Sequence, residues 1–152
     1  MFGKMGEAWV ARELRRRGYA VELIGESSDY AILLEGVARV EVKSALLSNG
    51  RGRRVRWQFS LRRRGNDVDE DLLFLLCYKD LDSDPVAVFV IPGRALSAKL
   101  SKIDVTSRDP RRYRGKWARF RDAWLEVQRV VDDLPARQPA LFRRRVEEPV
   151  PF

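Results

Sequence analysis

Hydrophobic and polar positions along the 152-residue chain switch period several times, and each switch marks an element. From Gly3 to Gly18 the apolar positions follow a helical step: Glu7, Val10, Ala11 and Leu14 fall at i, i+3, i+4 and i+7, and Gly18 supplies a C-terminal stop. A short strand, VELI, follows. Tyr30 to Leu34 and Val37 to Lys43 then alternate with period two around Glu35-Gly36, which predicts an antiparallel hairpin with a two-residue turn that sets Leu34 opposite Val37. Val55 to Leu61 alternates as another strand. Leu72 to Tyr78 is continuously apolar, as a central strand buried on both faces requires. Val86 to Ile91 is a further strand ended by Pro92-Gly93, and Ala95 to Ile103 is predicted as a short helix with Leu96 and Leu100 inward. Lys116 to Leu134 carries Trp117, Phe120, Trp124, Val127 and Val131 at three- and four-residue steps, which predicts a long amphipathic helix closed by Pro135.

The hairpin carries the candidate chemistry. Strand alternation sends Ala38, Val40 and Val42 to one face and Arg39, Glu41 and Lys43 to the other. Counting outward from the turn sets Asp29 opposite Val42, level with the space between Glu41 and Lys43. Two carboxylates and an amine in one place suit metal-assisted phosphodiester cleavage. Asp29 and Glu41 offer hard oxygen ligands to Mg²⁺, and Lys43 can orient the attacking water or stabilise phosphate charge. The competing reading makes Glu41 and Lys43 the wet face of an edge strand and Asp29 a turn cap. Glu7 has two readings as well. On an apolar stripe it needs a cation or a partner, whereas in a first turn it is favoured by the helix dipole and tilts into water.

Taken together, Gly6-Glu7 on a first helix ending in RRRGY, the strand VELI, Asp29 and Glu41-Val42-Lys43 resemble the PD-(D/E)XK nuclease superfamily. The first half is most similar to archaeal Holliday-junction resolvases and to small restriction-like or homing endonucleases. The resemblance covers residues 3 to 45 well, and the later strands match in order and character. It implies an α/β, restriction-endonuclease-like core of αβββαβ type: a mixed central sheet flanked by helices, an N-terminal helix, a hairpin carrying the D…ExK residues and a long C-terminal amphipathic helix. It further implies that Asp29, Glu41 and Glu7 hold Mg²⁺ or Mn²⁺, that Lys43 is the catalytic lysine, and that Gln58 is a polar helper. Ser28 stands where the family name has proline, and the resolvase segment after the lysine is not reproduced.

Composition narrows the partners. Histidine is absent, which removes HNH-type nucleases, Ser-His-Asp hydrolysis and common zinc enzymes and leaves carboxylate and lysine chemistry. The net charge of +8 and pI of about 10.1 favour a polyanion. Arginine dominates the cations. Arg51, Arg53, Arg54 and Arg56 follow the hairpin and Arg62, Arg63 and Arg64 follow the next strand, positions from which they can hold phosphates flanking a scissile bond; an ordinary solvated surface is the alternative. Asp67, Asp69, Glu70 and Asp71 lack the glycine and spacing of a calcium loop and are predicted to be a solvated turn. The lone Cys77, inside an apolar run, is expected to be a buried thiol. No apolar run reaches membrane-span length and no signal-peptide core is seen, so a cytoplasmic setting is expected.

Residues 1 to 134 are therefore expected to form one nuclease-like domain and 135 to 152 a basic, proline-containing tail. Within the tail, Gln138, Leu141 and Phe142 resemble the Q-x-x-L-F peptide by which replication and repair proteins dock into a sliding clamp, the alternative being a tail packed back on the domain. The expectation that follows is a Mg²⁺-dependent DNA endonuclease acting on branched or structured DNA, with a sequence-specific homing or restriction-like cleaver as the first alternative. A catalytically silent DNA-binding protein on the same fold is the second. Two-fold placement of active sites would make it a homodimer or higher homo-oligomer.

Overall fold

The computed structural model describes residues 2–25, 30–49, 55–61, 68–107 and 109–137. Asp29, Arg51, Arg53, Arg54, Arg62, Arg63, Arg64, Gln138, Leu141 and Phe142 lie outside them. Helix α1 (Phe2–Arg16) buries Gly6, Val10, Ala11 and Leu14. It stops as the sequence predicts. Gly18 has φ of 95°, its N–H donates to the Arg15 carbonyl at 3.0 Å, and the Tyr19 N–H donates to the Leu14 carbonyl at 3.1 Å, which closes a Schellman cap.

Eight strands follow: β1 (Val21–Leu23), β2 (Ile32–Leu34), β3 (Ala38–Leu46), β4 (Ser48–Asn49), β5 (Val55–Ser60), β6 (Leu72–Tyr78), β7 (Ala87–Pro92) and β8 (Lys102–Ser107), and then helix α2 (Leu125–Arg137). They form a mixed five-stranded sheet in the order β1-β2-β3-β6-β7, with β3 and β6 parallel, and an antiparallel three-stranded sheet in the order β4-β5-β8. Strand β6 is buried along its whole length because both faces are covered. Leu72, Phe74 and Leu76 enter a core shared with Val10 and Leu14 of α1 and Val127, Val130 and Leu134 of α2. Leu73, Leu75 and Cys77 enter a second core beneath Trp57, Phe59, Ile103 and Val105 of the smaller sheet. The layers are thus helices, large sheet, small sheet. The Tyr78 carbonyl joins the two sheets by accepting from the Trp57 indole N–H at 3.0 Å and from the Leu47 N–H at 2.9 Å.

Four expectations need correction. The hairpin turn is one residue longer than predicted: Leu34 pairs with Ala38 rather than Val37, while Glu35 and Gly36 take left-handed backbone angles and the Val37 N–H closes on the Leu34 carbonyl at 3.1 Å. Between β3 and β6, the described residues of the crossover form β4 and β5 where the αβββαβ pattern has a helix. Ala95 to Ile103 is not helical. A 3-10 turn at Gly93–Ala95 leads into β8, where Ile103 and Val105 alternate inward under Trp57 and Phe59. Tertiary pairing of a β-branched run overrides a weak helical spacing there.

The long C-terminal helix is also shorter than its apolar stripe. Trp117 and Phe120 pack into the second core, Trp124 and Val127 against the first, so the stripe straddles both faces of the large sheet instead of lining one helix. The chain turns around β7 through a bridge between Arg121 and Phe89 and through Asp122, whose φ is 52° and whose N–H donates to the Val88 carbonyl at 2.8 Å. Helix α2 begins only at Leu125, and it continues past Pro135 to Arg137.

One glycine sets the helix-to-sheet distance. A Cβ on Gly6 would stand 2.1 Å from Ser44 Oγ, a buried hydroxyl without a hydrogen-bond partner among the described residues, and 3.1 Å from Leu76 Cδ1. Gly6→Ala is expected to destabilise by about 1–3 kcal/mol through overpacking, against a helix-propensity gain of about 1 kcal/mol. Ser44→Ala should be near neutral, because it deletes an unsatisfied group, and the double variant should recover most of the loss. Urea unfolding of the three variants as a double-mutant cycle reads this coupling directly.

Candidate functional site

Burial rises steadily along one face of β3. Arg39 is exposed, Glu41 and Lys43 are half-buried, and Ala45 is closed inside the second core. The opposite face, Ala38, Val40 and Val42, is fixed under the helices. Glu41 and Lys43 therefore cannot swap faces without a register slip that would bury Arg39 and expose Val40. Their parallel neighbours in β6 are Leu73 and Leu75, so the two charged groups stand at the mouth of an apolar trough.

The electrostatics match that position. The Glu41 carboxyl is pushed above its ordinary value, first by loss of hydration and then, more weakly, by the nearby carboxylates of Glu70 and Glu7. Lys43 and a hydrogen bond from the Val42 N–H to Oε1, at 3.0 Å, pull the other way without overcoming burial. Glu7, Glu41, Lys43 and Glu70 thus share one electrostatic neighbourhood, built from α1, β3 and the segment before β6.

Glu70 is the member that sequence spacing did not single out. Its segment is not the free solvated turn expected. The Asp71 carboxylate accepts from the Arg39 N–H at 2.8 Å, and the Asp71 N–H donates to the Arg39 carbonyl at 2.8 Å. These two bonds lash residues 70 and 71 to the solvent end of the Glu41 strand. Gly93 permits the close approach behind them, since a Cβ there would lie 2.3 Å from the Glu70 carbonyl oxygen. The usable sequence signal was an acidic residue just ahead of a strand buried on both faces.

Gln58 is exposed on β5 between the buried Trp57 and Phe59, so it faces away from the second core, opposite Asp104 of β8. Arg56 is exposed on the same strand. Cys77 is buried, and burial drives its thiol far above the usual range, as an inert structural cysteine requires. Among the described residues no group of three or more histidine, cysteine, aspartate or glutamate side chains is arranged as a complete metal site, and no helix is long and apolar enough to cross a membrane. The described carboxylates nevertheless fit a hard cation in character: Glu41 carries a desolvation penalty, sharpened by two like charges, that a bound cation would relieve.

No family model matches the chain, and no curated protein matches it. A solved structure does: a bacterial homing endonuclease, I-Ssp6803I, superposes with a TM-score of 0.64 over 88% of this chain and 94% of that one, at 21% sequence identity. The chain therefore shares the α/β fold of that structure, with its mixed five-stranded sheet and two helices.

A raised carboxyl makes a signed prediction. Glu41 adds no penalty below its ordinary value of 4.5, and its contribution to stability is lost as pH climbs through the raised folded-state value. Denaturant unfolding as pH rises above about 4.5 should show stability falling with pH at this site. Glu41→Gln should flatten the slope and unfold at higher denaturant near neutrality. An unchanged slope in that variant would show that Glu41 is not desolvated.

Proposed function

We propose that the protein is a divalent-metal-dependent DNA endonuclease of the homing or restriction-like type. The observation that carries the reading is the half-buried Glu41 with Lys43 two residues along the same face of β3, within electrostatic reach of Glu7 of α1, in a fold shared with a bacterial homing endonuclease. That likeness favours the homing or restriction-like alternative over junction resolution. The basic character of the chain, +8 overall, suits the polyanion such an enzyme must hold.

In this reading Glu41 and Asp29, with Glu7 beside them, hold Mg²⁺ or Mn²⁺. The ion, when bound, stabilises charge on the phosphoryl oxygens and acidifies a water. The chain's own part is distinct. The leucines of β6 strip water from the Glu41 carboxylate, so it gains more from a cation than an exposed carboxylate would. Lys43, two residues along the same face, is positioned to donate to the attacked phosphate or to fix the nucleophilic water. The rigid pairing of β3 with β6 keeps the spacing of Glu41 and Lys43 constant while substrate binds.

Purified protein incubated with Mg²⁺ should cut members of a randomised linear-duplex library and show no preference for four-way junctions, and EDTA should abolish cutting. Glu41→Ala and Lys43→Ala should each lower the rate by about 10²-fold or more. Preferential cutting of junctions would restore the resolvase reading. Salt-sensitive binding with no cleavage under any divalent ion would leave a silent DNA-binding protein. Metal-dependent cutting undiminished by Glu41→Ala would move the centre elsewhere. Mg²⁺ should also raise the melting temperature of the wild type more than that of Glu41→Gln, a binding readout independent of turnover.

A further inference from the structure

We infer that a second arginine cluster, Arg94, Arg119 and Arg129, is a phosphate clamp for the DNA backbone, built on the buried carboxylate of Glu126 and lying beside the Glu70 end of the candidate active site. The inference rests on the endonuclease reading for its ligand and on geometry for its place. Glu126 is the one buried charged side chain among the described residues. Its Oε2 accepts from Arg94 Nη2 at 2.7 Å and its Oε1 from Arg129 Nη1, which joins the turn after β7 to the first turns of α2. The carboxylate side chain is 8% exposed, while the guanidinium-bearing chains are 61% and 57% exposed.

Charge balance gives the arrangement its purpose. One arginine suffices to neutralise a buried carboxylate. A second leaves an excess positive charge, with most N–H donors of both planar forks still facing solvent and their orientation already fixed. Arg119 adds a third cation, held over the Phe120 ring at 4.6 Å. These groups line a cleft of about 520 Å³ with Pro92, Ala95 and Phe120. Pro92, Arg94 and Arg129 also line an adjoining cleft of about 590 Å³, whose other wall carries Glu70, Asp71 and Asp133. The basic half repeats the phosphate-holding chemistry, and the acidic half leads to Glu70, whose charge Glu41 feels.

A polymer of phosphates suits this layout better than a small anion does. Arg94 and Arg129 remain more than half exposed in the cleft, which continues into a second cleft instead of closing around a ligand. A backbone lying across it contacts the three arginines with phosphates outside the scissile position and adds affinity without sequence preference.

The test is equilibrium binding of a labelled 20–30 base-pair duplex in EDTA, where no cutting occurs, over a salt series. Arg94→Gln, Arg119→Ala and Arg129→Gln should each weaken binding on the order of five-fold for unrelated sequences and reduce the slope of log affinity against log salt by about one. Arg119 has no bond to Glu126, so Arg119→Ala keeps the test intact if either glutamine variant melts early. Folded variants that bind with wild-type affinity and slope overturn the clamp even if the wild type cuts DNA. Loss of inorganic-phosphate binding with duplex binding intact also overturns it, in favour of a small-anion site. A wild type that binds duplex and never cuts, with variants weakened as expected, removes the nuclease reading and leaves the clamp standing.

Discussion

Burial of β6 on both faces is the constraint on which the rest depends. A strand whose seven side chains are all apolar must be covered from two sides. Covering it draws α1 and α2 to one face and the small sheet to the other. Its parallel partner β3 then inherits a fixed register, Glu41 beside Leu73 and Lys43 beside Leu75. A charged pair is thereby held at the lip of an apolar layer. The energetic logic is that of a preorganised site, in which packing elsewhere in the domain maintains an electrostatic arrangement that is locally unfavourable.

The two effects on Glu41 are ordered by size. Dehydration outranks the attraction of Lys43, although the lysine sits two positions away on the same face. In a simple surface ion pair the order would be reversed, with the amine holding the carboxylate below its usual range. The wet-edge-strand reading of the E-x-K triplet requires β3 to be an edge, whereas β3 is flanked by β2 and β6.

Legibility in the sequence followed the strength of the period. Leu72 to Tyr78 coincides with β6 because a continuous apolar run of that length has few other solutions, and the N-terminal helix ends at Gly18 because only glycine takes that backbone angle cheaply. Turn length was less legible: two left-handed residues fit a two-residue loop equally well, and the extra unpaired Val37 leaves no compositional mark. The C-terminal stripe misled for a physical reason. Trp117, Phe120 and Trp124 are apolar at helical spacing, yet their burial is divided between two cores, and a one-dimensional period cannot tell one face from two. Glu70 and the Arg94–Glu126–Arg129 triad were invisible for a related reason. Each depends on contacts between elements distant in the chain, fixed only when β6 and β7 are paired and α2 has docked.

The two charged constellations are linked by the same short stretch of backbone. The Gly93 N–H donates to the Asp71 carbonyl at 2.8 Å, one residue from Glu70 and one residue from Arg94. Asp71 in turn is bonded through both its backbone and its side chain to Arg39, two positions from Glu41. A series of bonds therefore runs from Arg94, the partner of the buried Glu126, through Gly93 and Asp71 to Arg39 on the Glu41 strand. In the proposed reading, these bonds set the spacing between the metal-holding carboxylates and the phosphate clamp. The lack of a Cβ at Gly93 is what lets the two ends of this chain of bonds meet.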